Sequence, residues 1–263
     1  MERFKEIAID LAQASGQMLM GSLGRVKEVS HKGEIDLVTE LDRRSEELIV
    51  GRLRRAFPHH AIIAEESGGE GGAEYLWLVD PLDGTTNYAH GLPWFTVSIG
   101  LLRGGKPILG VVYNPPLDEL FWAERGKGAW LNGGKIEVSR TTQLSQSLLA
   151  TGFPYDIRVS EVNNLDHFSH FSLQALAIRR AGSAALDLAY LACGRFDGFW
   201  ELKLHPWDMA AGSLLIEEAG GDVTDFKGEG FDPFGKEILA SNGRIHKQML
   251  AVLNGEQFTG VRK

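Results

Sequence analysis

Two carboxylates, Asp80 and Asp83, lie three residues apart in the run Asp-Pro-Leu-Asp-Gly-Thr-Thr-Asn at residues 80–87, directly after the apolar segment 75–79. Pro81 fixes its own φ and favours an extended Asp80, so both acids should lie on a rigid turn after a buried strand. Such acids repel each other unless cations neutralise them. The Gly-Thr-Thr-Asn segment is suited to opening a helix, whose first N–H groups favour an anion. The run predicts cations beside a phosphate group, although an acidic surface turn explains this run alone equally well.

Further carboxylates occur at three other places where a strand or turn can present them. They are Asp36 with Asp42, Glu65 with Glu66, and Asp208. Glu65 follows a short strand-like segment and Asp80 follows another, so adjacent strands can bring them together. Magnesium takes oxygen ligands and often shares its shell with substrate phosphate. Two such ions about 3.5–4 Å apart can stabilise both the attacking and the leaving oxygen of an in-line displacement.

The elements that must position these acids change in character along the chain. Helical spacing predicts amphipathic helices near residues 4–19 and 41–56, and segments between residues 95 and 131 predict an antiparallel meander. The glycine-rich segment 68–73 is expected to be a mobile loop. In the second half, predicted strands near 148–150, 177–178, 196–200 and 238–240 alternate with helices near 163–176, 184–191, 209–219 and 245–253.

This order of elements predicts a layered α+β or α/β fold, with the meander in the first half and a mixed sheet with helices in the second. No linker or repeat divides the chain. We therefore expect one domain over residues 1–263, built from two closely packed lobes at about 1–140 and 141–263.

Composition argues against several other classes of protein. The formal net charge of −8 and the absence of a dense basic run argue against binding to nucleic acid or to an anionic membrane. Cys193 is the single cysteine, which excludes an intrachain disulfide and a cysteine-cluster metal site. No signal peptide or membrane-spanning apolar run is evident, so a cytoplasmic location is expected.

Several motifs follow one another in a characteristic order. They are Asp-Leu-Val-Thr-Glu-Leu-Asp at 36–42, Glu-Glu-Ser at 65–67, Trp-Leu-Val-Asp-Pro-Leu-Asp-Gly-Thr-Thr-Asn at 77–87, Gly-Ser-Ala-Ala at 182–185, Glu201, Trp-Asp-Met-Ala-Ala-Gly at 207–212 and Glu-Glu-Ala-Gly-Gly at 217–221. Together they resemble the inositol monophosphatase family of magnesium-dependent, lithium-sensitive sugar phosphatases. The resemblance covers nearly the whole chain and implies the alternating αβαβα sandwich of that superfamily.

The resemblance implies a site for two to three magnesium ions. Glu65, Asp80 and the backbone carbonyl of Leu82 are expected to hold one ion. Asp80, Asp83 and Asp208 are expected to hold a second, which makes Asp80 the bridging ligand. A third, weaker ion is expected to use Glu65 and water.

The resemblance also implies roles in catalysis. The N–H groups of Gly84 and Thr85 are expected to bind the phosphate. Thr85 and Asp42, with Glu65 beside them, are expected to orient and help deprotonate a metal-bound water, since a threonine is a poor base without a carboxylate partner. No covalent phosphoenzyme is implied.

The sugar or cyclitol is expected to lie against the Ala184 backbone, Asp83 and Glu201. A carboxylate such as Glu201 can accept two hydroxyl hydrogen bonds, which suits a polyol. A surface acid at a strand end is the alternative, but the spacing to Asp208, which matches the family, favours the ligand role. Lys32, in the segment 30–34, is a weaker candidate for a residue over the site.

Histidines offer a competing zinc hypothesis. His59 with His60, and His205 before a proline, could suggest such a site, but no converging set of ligands accompanies them. We expect them to be turn residues. His90 is expected either to approach the substrate or to pack on Trp94.

The predicted activity is hydrolysis of a small polyol phosphate, with inositol 1-phosphate as the default substrate. The alternatives are fructose-1,6-bisphosphatase activity, alone or alongside the first, and a regulatory protein that binds the transcription machinery on the same fold. The loops 30–34 and 153–159 should decide the substrate, which the sequence leaves open. Lithium inhibition and a homodimer are implied by the resemblance.

Overall fold

A computed structural model describes residues 1–24, 29–31 and 37–255. Lys32 and Asp36 lie outside the described residues. Helices α1 (Glu2–Ser22) and α2 (Glu40–Ala56) form where helical spacing predicts them. Both pack on one face of a large sheet, and their apolar faces are buried there. A short ribbon pairs β1 (Val29–His31) with β2 (Leu37–Thr39).

The large sheet has seven strands in the order β3-β4-β5-β6-β7-β8-β9. They are β3 (Ala61–Ala64), β4 (Tyr75–Asp83), β5 (Thr96–Arg103), β6 (Lys106–Asn114), β7 (Glu119–Glu124), β8 (Gly128–Leu131) and β9 (Gly134–Ile136). Strands β3 and β4 are parallel and every later pair is antiparallel, which confirms the predicted meander. The strand β4 continues past its predicted end, with a break in register between Asp80 and Asp83.

The second sheet has five strands in the order β11-β10-β12-β14-β13. They are β10 (Leu148–Thr151), β11 (Ala177–Arg179), β12 (Gly198–Leu202), β13 (Asp222–Thr224) and β14 (Glu237–Ser241). The sheet is mixed, because β10 is parallel to both neighbours while β14 is antiparallel to β12 and β13. Four three-residue strands, β1, β2, β9 and β13, were not predicted from the sequence, because such short segments give little alternation to recognise.

Five further helices complete the fold. They are α3 (Thr85–Ala89), α4 (Leu165–Ser172), α5 (Ala184–Ala192), α6 (Pro206–Glu218) and α7 (His246–Leu253). The helix α4 is shorter than predicted, because the chain turns after Ser172 and the Leu176 N–H donates to the Ser147 carbonyl.

The layers alternate as predicted. Helices α5 and α6 lie between the two sheets, and α4 with α7 covers the outer face of the second sheet. The result is an αβαβα sandwich. No helix in the described part of the chain is both long enough and apolar enough to cross a membrane.

Two glycines let α6 approach the large sheet closely. A Cβ at Gly110 would lie 2.6 Å from the Ala211 carbonyl oxygen, and one at Gly100 would lie 3.1 Å from the Ala210 Cβ. The helix therefore rests directly on β5 and β6. Asp208, in the first turn of α6, is fixed relative to the sheet by this contact.

Candidate active site

A cleft opens where the ends of both sheets and three helices meet. Its cavity measures about 120 Å³ and is open to solvent. Its lining includes the predicted residues Glu65, Asp80, Leu82, Asp83, Gly84, Thr85, Ala184, Glu201 and Asp208. The fold thus brings together side chains that come from five separate stretches of sequence.

Asp80 is a strongly perturbed acid of this cleft. It is almost fully buried, and its Oδ1 accepts a hydrogen bond from the Leu82 N–H at 2.9 Å. Burial raises its pKa well above 3.8, and the negative charges of Glu65, Asp83 and Asp208 raise that pKa further. The four carboxylates therefore lie close enough to repel one another, which is the electrostatic setting that a divalent cation relieves.

Asp208 shares this setting. Desolvation raises its pKa well above 3.8, followed by the charges of Asp83 and Glu65. Its Oδ2 accepts a hydrogen bond from the His205 N–H at 2.7 Å, which completes a capping box at the start of α6.

Among the described residues, no group of three or more His, Cys, Asp and Glu side chains is arranged so that it could hold a metal ion as it stands. The donors are instead spread around an open cleft, and all of them are hard oxygen atoms. This set suits magnesium, which keeps several waters and accepts substrate oxygens as further ligands. The individual ligand roles of these residues stay predictions.

Asp83 joins the large sheet to α5. Its Oδ2 accepts hydrogen bonds from the Ser183 hydroxyl and, at 2.8 Å, from the Ala185 N–H. Desolvation raises the pKa of Asp83, and these hydrogen bonds oppose that rise. The hydrogen bonds from Thr96, Ser183 and Ala185 all reach Oδ2. Sequence reasoning gave Ser183 no role, although it lies in one of the recognised motifs.

The Thr85 hydroxyl lies 2.8 Å from Asp42 Oδ1 and 3.0 Å from the Leu82 carbonyl oxygen. Asp42 is fully buried on α2, behind the cleft. The predicted Thr85–Asp42 pair is therefore present in the fold. Gly84 precedes it with φ of +98°, and a Cβ there would lie 2.9 Å from the Trp94 carbonyl oxygen, so only glycine fits this approach.

Glu201 lies buried on β12 at the opposite wall. Burial raises its pKa to about 8, the charge of Asp83 adds to the rise, and Arg180 opposes it. A Cβ at Gly152 would overlap the Glu201 carboxylate, so the glycine makes room for this acid. Glu201 is thus a carboxylate enclosed in the cleft, and the alternative of a surface acid is wrong.

Two further residues of this wall were missed by sequence reasoning. Arg180 lines the cleft, and Asp187 is buried there with no hydrogen bond to its Oδ1 from any described residue. Burial raises the pKa of Asp187 well above 3.8, with the charge of Glu201 adding to the rise. Both lie two residues outside the Gly-Ser-Ala-Ala motif, and that proximity was the available signal.

The histidines have structural surroundings. His60 stacks between Phe57 and Tyr75, and its Nδ1 accepts a hydrogen bond from Trp77 Nε1 at 3.0 Å. Its prediction as a simple turn residue is therefore incomplete, because the ring belongs to an aromatic cluster. His205 is the N-cap residue of α6.

Comparison with known proteins agrees with this geometry. The profile of the inositol monophosphatase family matches residues 1–257. The chain is 45% identical to an inositol-1-monophosphatase of Synechocystis sp. over 256 residues, covering 96% of this chain and 89% of that protein. It is 46% identical to a Nus factor SuhB of Pseudomonas aeruginosa over 263 residues, covering 96% of each. The solved structure of inositol monophosphatase from Anabaena (Nostoc) sp. matches with a TM-score of 0.89 and 47% identity, covering 97% of each chain.

Proposed function

Because this chain belongs to the inositol monophosphatase family, we propose that it hydrolyses the phosphate monoester of a small polyol with the help of magnesium. The observation that carries the proposal is that Glu65, Asp80, Asp83 and Asp208 line one cleft beside the Thr85–Asp42 pair. Such a cluster has little use without cations, and cations beside a polarised hydroxyl suit phosphate transfer to water.

These donors would hold two to three Mg²⁺ ions. Glu65, Asp80 and the Leu82 carbonyl would hold one, while Asp80, Asp83 and Asp208 would hold another. Bound Mg²⁺ supplies charge neutralisation for the phosphate and a lowered pKa for water. Lithium inhibition is part of this proposal and is tested by titrating Li⁺ against Mg²⁺.

The protein's own groups orient the attacking water. Thr85 donates its hydroxyl proton to Asp42 Oδ1, which leaves the oxygen lone pairs of Thr85 directed at a water in the cleft. Asp42 holds this orientation and can take up the proton that Thr85 passes on. The N–H groups of Gly84 and Thr85 bind the phosphate. No side-chain nucleophile is required, and Cys193 lies outside the lining of the cleft.

Recognition of the polyol falls to the opposite wall. Glu201 and Asp83 accept hydroxyl hydrogen bonds, and the Ala184 backbone supports the ring. We take inositol 1-phosphate as the substrate, with fructose 1,6-bisphosphate as the alternative.

A substrate panel tests this proposal. We expect Mg²⁺-dependent phosphate release to be fastest with inositol 1-phosphate, slower with fructose 1,6-bisphosphate and slowest with a nucleotide bisphosphate. Asp83→Asn should lower kcat at least about 100-fold, while Asp166→Asn, an exposed acid on α4, should leave it unchanged. Full turnover by Asp83→Asn would refute the assignment of the site.

We also propose a homodimer. The edge strand β11 is flanked by exposed apolar side chains, among them Leu173 at 81% and Leu176 at 67% exposure, a density that favours a protein partner. Sedimentation should give twice the chain mass, and a Leu173→Asp, Leu176→Asp double variant should sediment as a monomer.

A second candidate function is regulatory binding to the transcription machinery. The relative from Pseudomonas aeruginosa that carries the name Nus factor SuhB supports it. If the Asp83→Asn variant loses phosphatase activity but still binds a transcription complex, both functions reside in one protein.

A further inference from the structure

Glu46 is a buried carboxylate that takes no part in the proposed reaction. It lies on α2 with 4% of its surface exposed. Its Oε2 accepts the Glu66 N–H at 2.7 Å and its Oε1 accepts the Ser67 N–H at 2.8 Å. Both bonds fall on the two residues that directly follow Glu65.

These hydrogen bonds hold the C-terminal side of the turn at residues 65–67. On the other side, the Glu65 N–H donates to the Val79 carbonyl at 3.1 Å. Ala64 and Gly68 pair across the turn at 2.9 and 3.0 Å. The backbone of Glu65 is thus held by the large sheet before it and by Glu46 after it.

The same face of α2 supports two other parts of the cleft. Asp42 accepts the Thr85 hydroxyl, and the Ser45 hydroxyl donates to the Pro81 carbonyl at 2.8 Å. With Glu46 these residues are spaced i, i+3 and i+4, so they share one side of the helix. One helix face therefore ties three segments of the site together.

We propose that Glu46 is a positioning residue that sets the magnesium affinity of Glu65 by fixing the turn 65–67. This inference rests on the proposed function, since it takes Glu65 as a metal ligand. Both oxygens of Glu46 accept backbone N–H groups, and Glu46 does not line the cleft, so its role is to position Glu65. Residues that hold metal ligands in place commonly change metal affinity or activity 10- to 100-fold when replaced.

The chemistry demands a carboxylate at this position. Two parallel N–H donors need two acceptor oxygens, and only the ionised acid supplies both. Glutamine has the same shape, yet it offers one carbonyl oxygen and turns an N–H₂ donor towards a backbone N–H. Aspartate keeps both oxygens but is one methylene too short.

The test measures Mg²⁺ binding to the whole protein by calorimetry without substrate, together with the Mg²⁺ concentration that half-saturates phosphate release. We expect Glu46→Gln to weaken both about 10- to 100-fold. The KM for inositol 1-phosphate at saturating Mg²⁺ should stay within about threefold. Glu47→Gln, on the exposed side of the same helix, should match the parent in every measurement.

A purely structural role for Glu46 gives a different result. Ile49→Val, at a fully buried position on α2, lowers stability without touching the turn and should leave Mg²⁺ affinity unchanged. If Glu46→Gln likewise loses stability but keeps the parent's Mg²⁺ affinity, the proposal is overturned. If Glu46→Gln does not fold, Glu46→Asp is measured in its place and judged by the same criterion.

Failure of the proposed function would look different again. A parent protein that binds Mg²⁺ but hydrolyses no member of the substrate panel would refute the phosphatase, while the calorimetric comparison of Glu46→Gln with Glu47→Gln would still decide the role of Glu46. A parent that binds no Mg²⁺ would overturn both.

Discussion

Single residues of the cleft owe their properties to neighbours that are distant in sequence. The Thr85 hydroxyl has no unusual acidity as a residue type, and its significance comes from the buried Asp42 that accepts its hydrogen bond at 2.8 Å. Asp42 in turn is fully buried, so its negative charge next to the hydroxyl is not screened by water. A hydroxyl in this position can orient water in a way that an exposed threonine cannot.

Removing that hydroxyl should separate orientation from binding. Thr85→Val keeps the shape of the side chain but has no proton donor or lone pair, so we expect kcat to fall about 10²- to 10⁴-fold. The KM for inositol 1-phosphate should change only a few-fold. Steady-state kinetics at saturating Mg²⁺ measure both.

The matched control is Thr142→Val, which removes a hydroxyl at an exposed position outside the cleft. It should behave as the parent. If Thr85→Val turns over at the parental rate, the Thr85–Asp42 pair does not orient the water.

At the scale of elements, the site depends on how closely helices approach the large sheet. The helix α6 carries Asp208 in its first turn, and Gly110 on β6 allows its backbone to rest on the strand. Any side chain at residue 110 must push this helix away. Because the helix is rigid, that displacement moves Asp208 relative to Asp80 and Asp83.

Gly110→Ala should therefore destabilise the fold and impair the site together. We expect the free energy of unfolding to fall by about 1–3 kcal/mol, as for other overpacked contacts. The half-saturating Mg²⁺ concentration should rise as well. Chemical denaturation and the Mg²⁺ dependence of phosphate release measure the two effects.

Gly51→Ala provides the opposite case on α2. A Cβ there meets no atom within 4 Å, and alanine is the better helix former by about 1 kcal/mol. This variant should gain stability and keep its Mg²⁺ response. A loss of stability equal to that of Gly110→Ala would contradict the role given to close packing.

At the scale of the whole molecule, folding lowers the pKa of some histidines and raises the pKa of the cleft acids. Burial lowers the pKa of His60, His167 and His246 below the ordinary 6.5. The unfolded chain takes up protons on these rings as the pH falls through 6.5, and the folded chain does so only at lower pH. Their contribution to the free energy of unfolding therefore declines as the pH drops below 6.5.

Without bound metal, the cleft acids change the free energy of unfolding with pH in the opposite direction. Their pKa values are raised, so the folded protein binds protons before the unfolded chain does and gains stability as the pH falls. A single pH–stability curve mixes both contributions. The difference between the parent and a histidine variant isolates one ring.

His60→Gln is suited to this comparison, because the Gln carbonyl can replace Nδ1 as the acceptor for Trp77. We expect the stability of the parent relative to the variant to decrease as the pH falls from 6.5. Urea denaturation at fixed ionic strength across this range measures it. A difference that does not vary with pH would show that His60 has the same pKa in the folded and unfolded chain.

The sequence by itself determined which chemistry is possible and much of the fold. Paired acids after an apolar strand, the Gly-Thr-Thr-Asn helix start and the order of motifs are local features, and the periodicity of α1, α2 and the meander is local too. The short strands β1, β2, β9 and β13 were not predicted, because their pairing is decided by neighbouring strands and not by their own residues.

Only the tertiary structure decided which polar groups meet. Glu46 reaches the turn after Glu65 across 20 and 21 residues of sequence, and Ser183 reaches Asp83 across 100. Neither contact can be predicted from residue spacing or composition, because each depends on which face of α2 or α5 packs against the large sheet. Burial likewise set the raised pKa of Glu201 and Asp187, since desolvation exists only after the layers have closed around them.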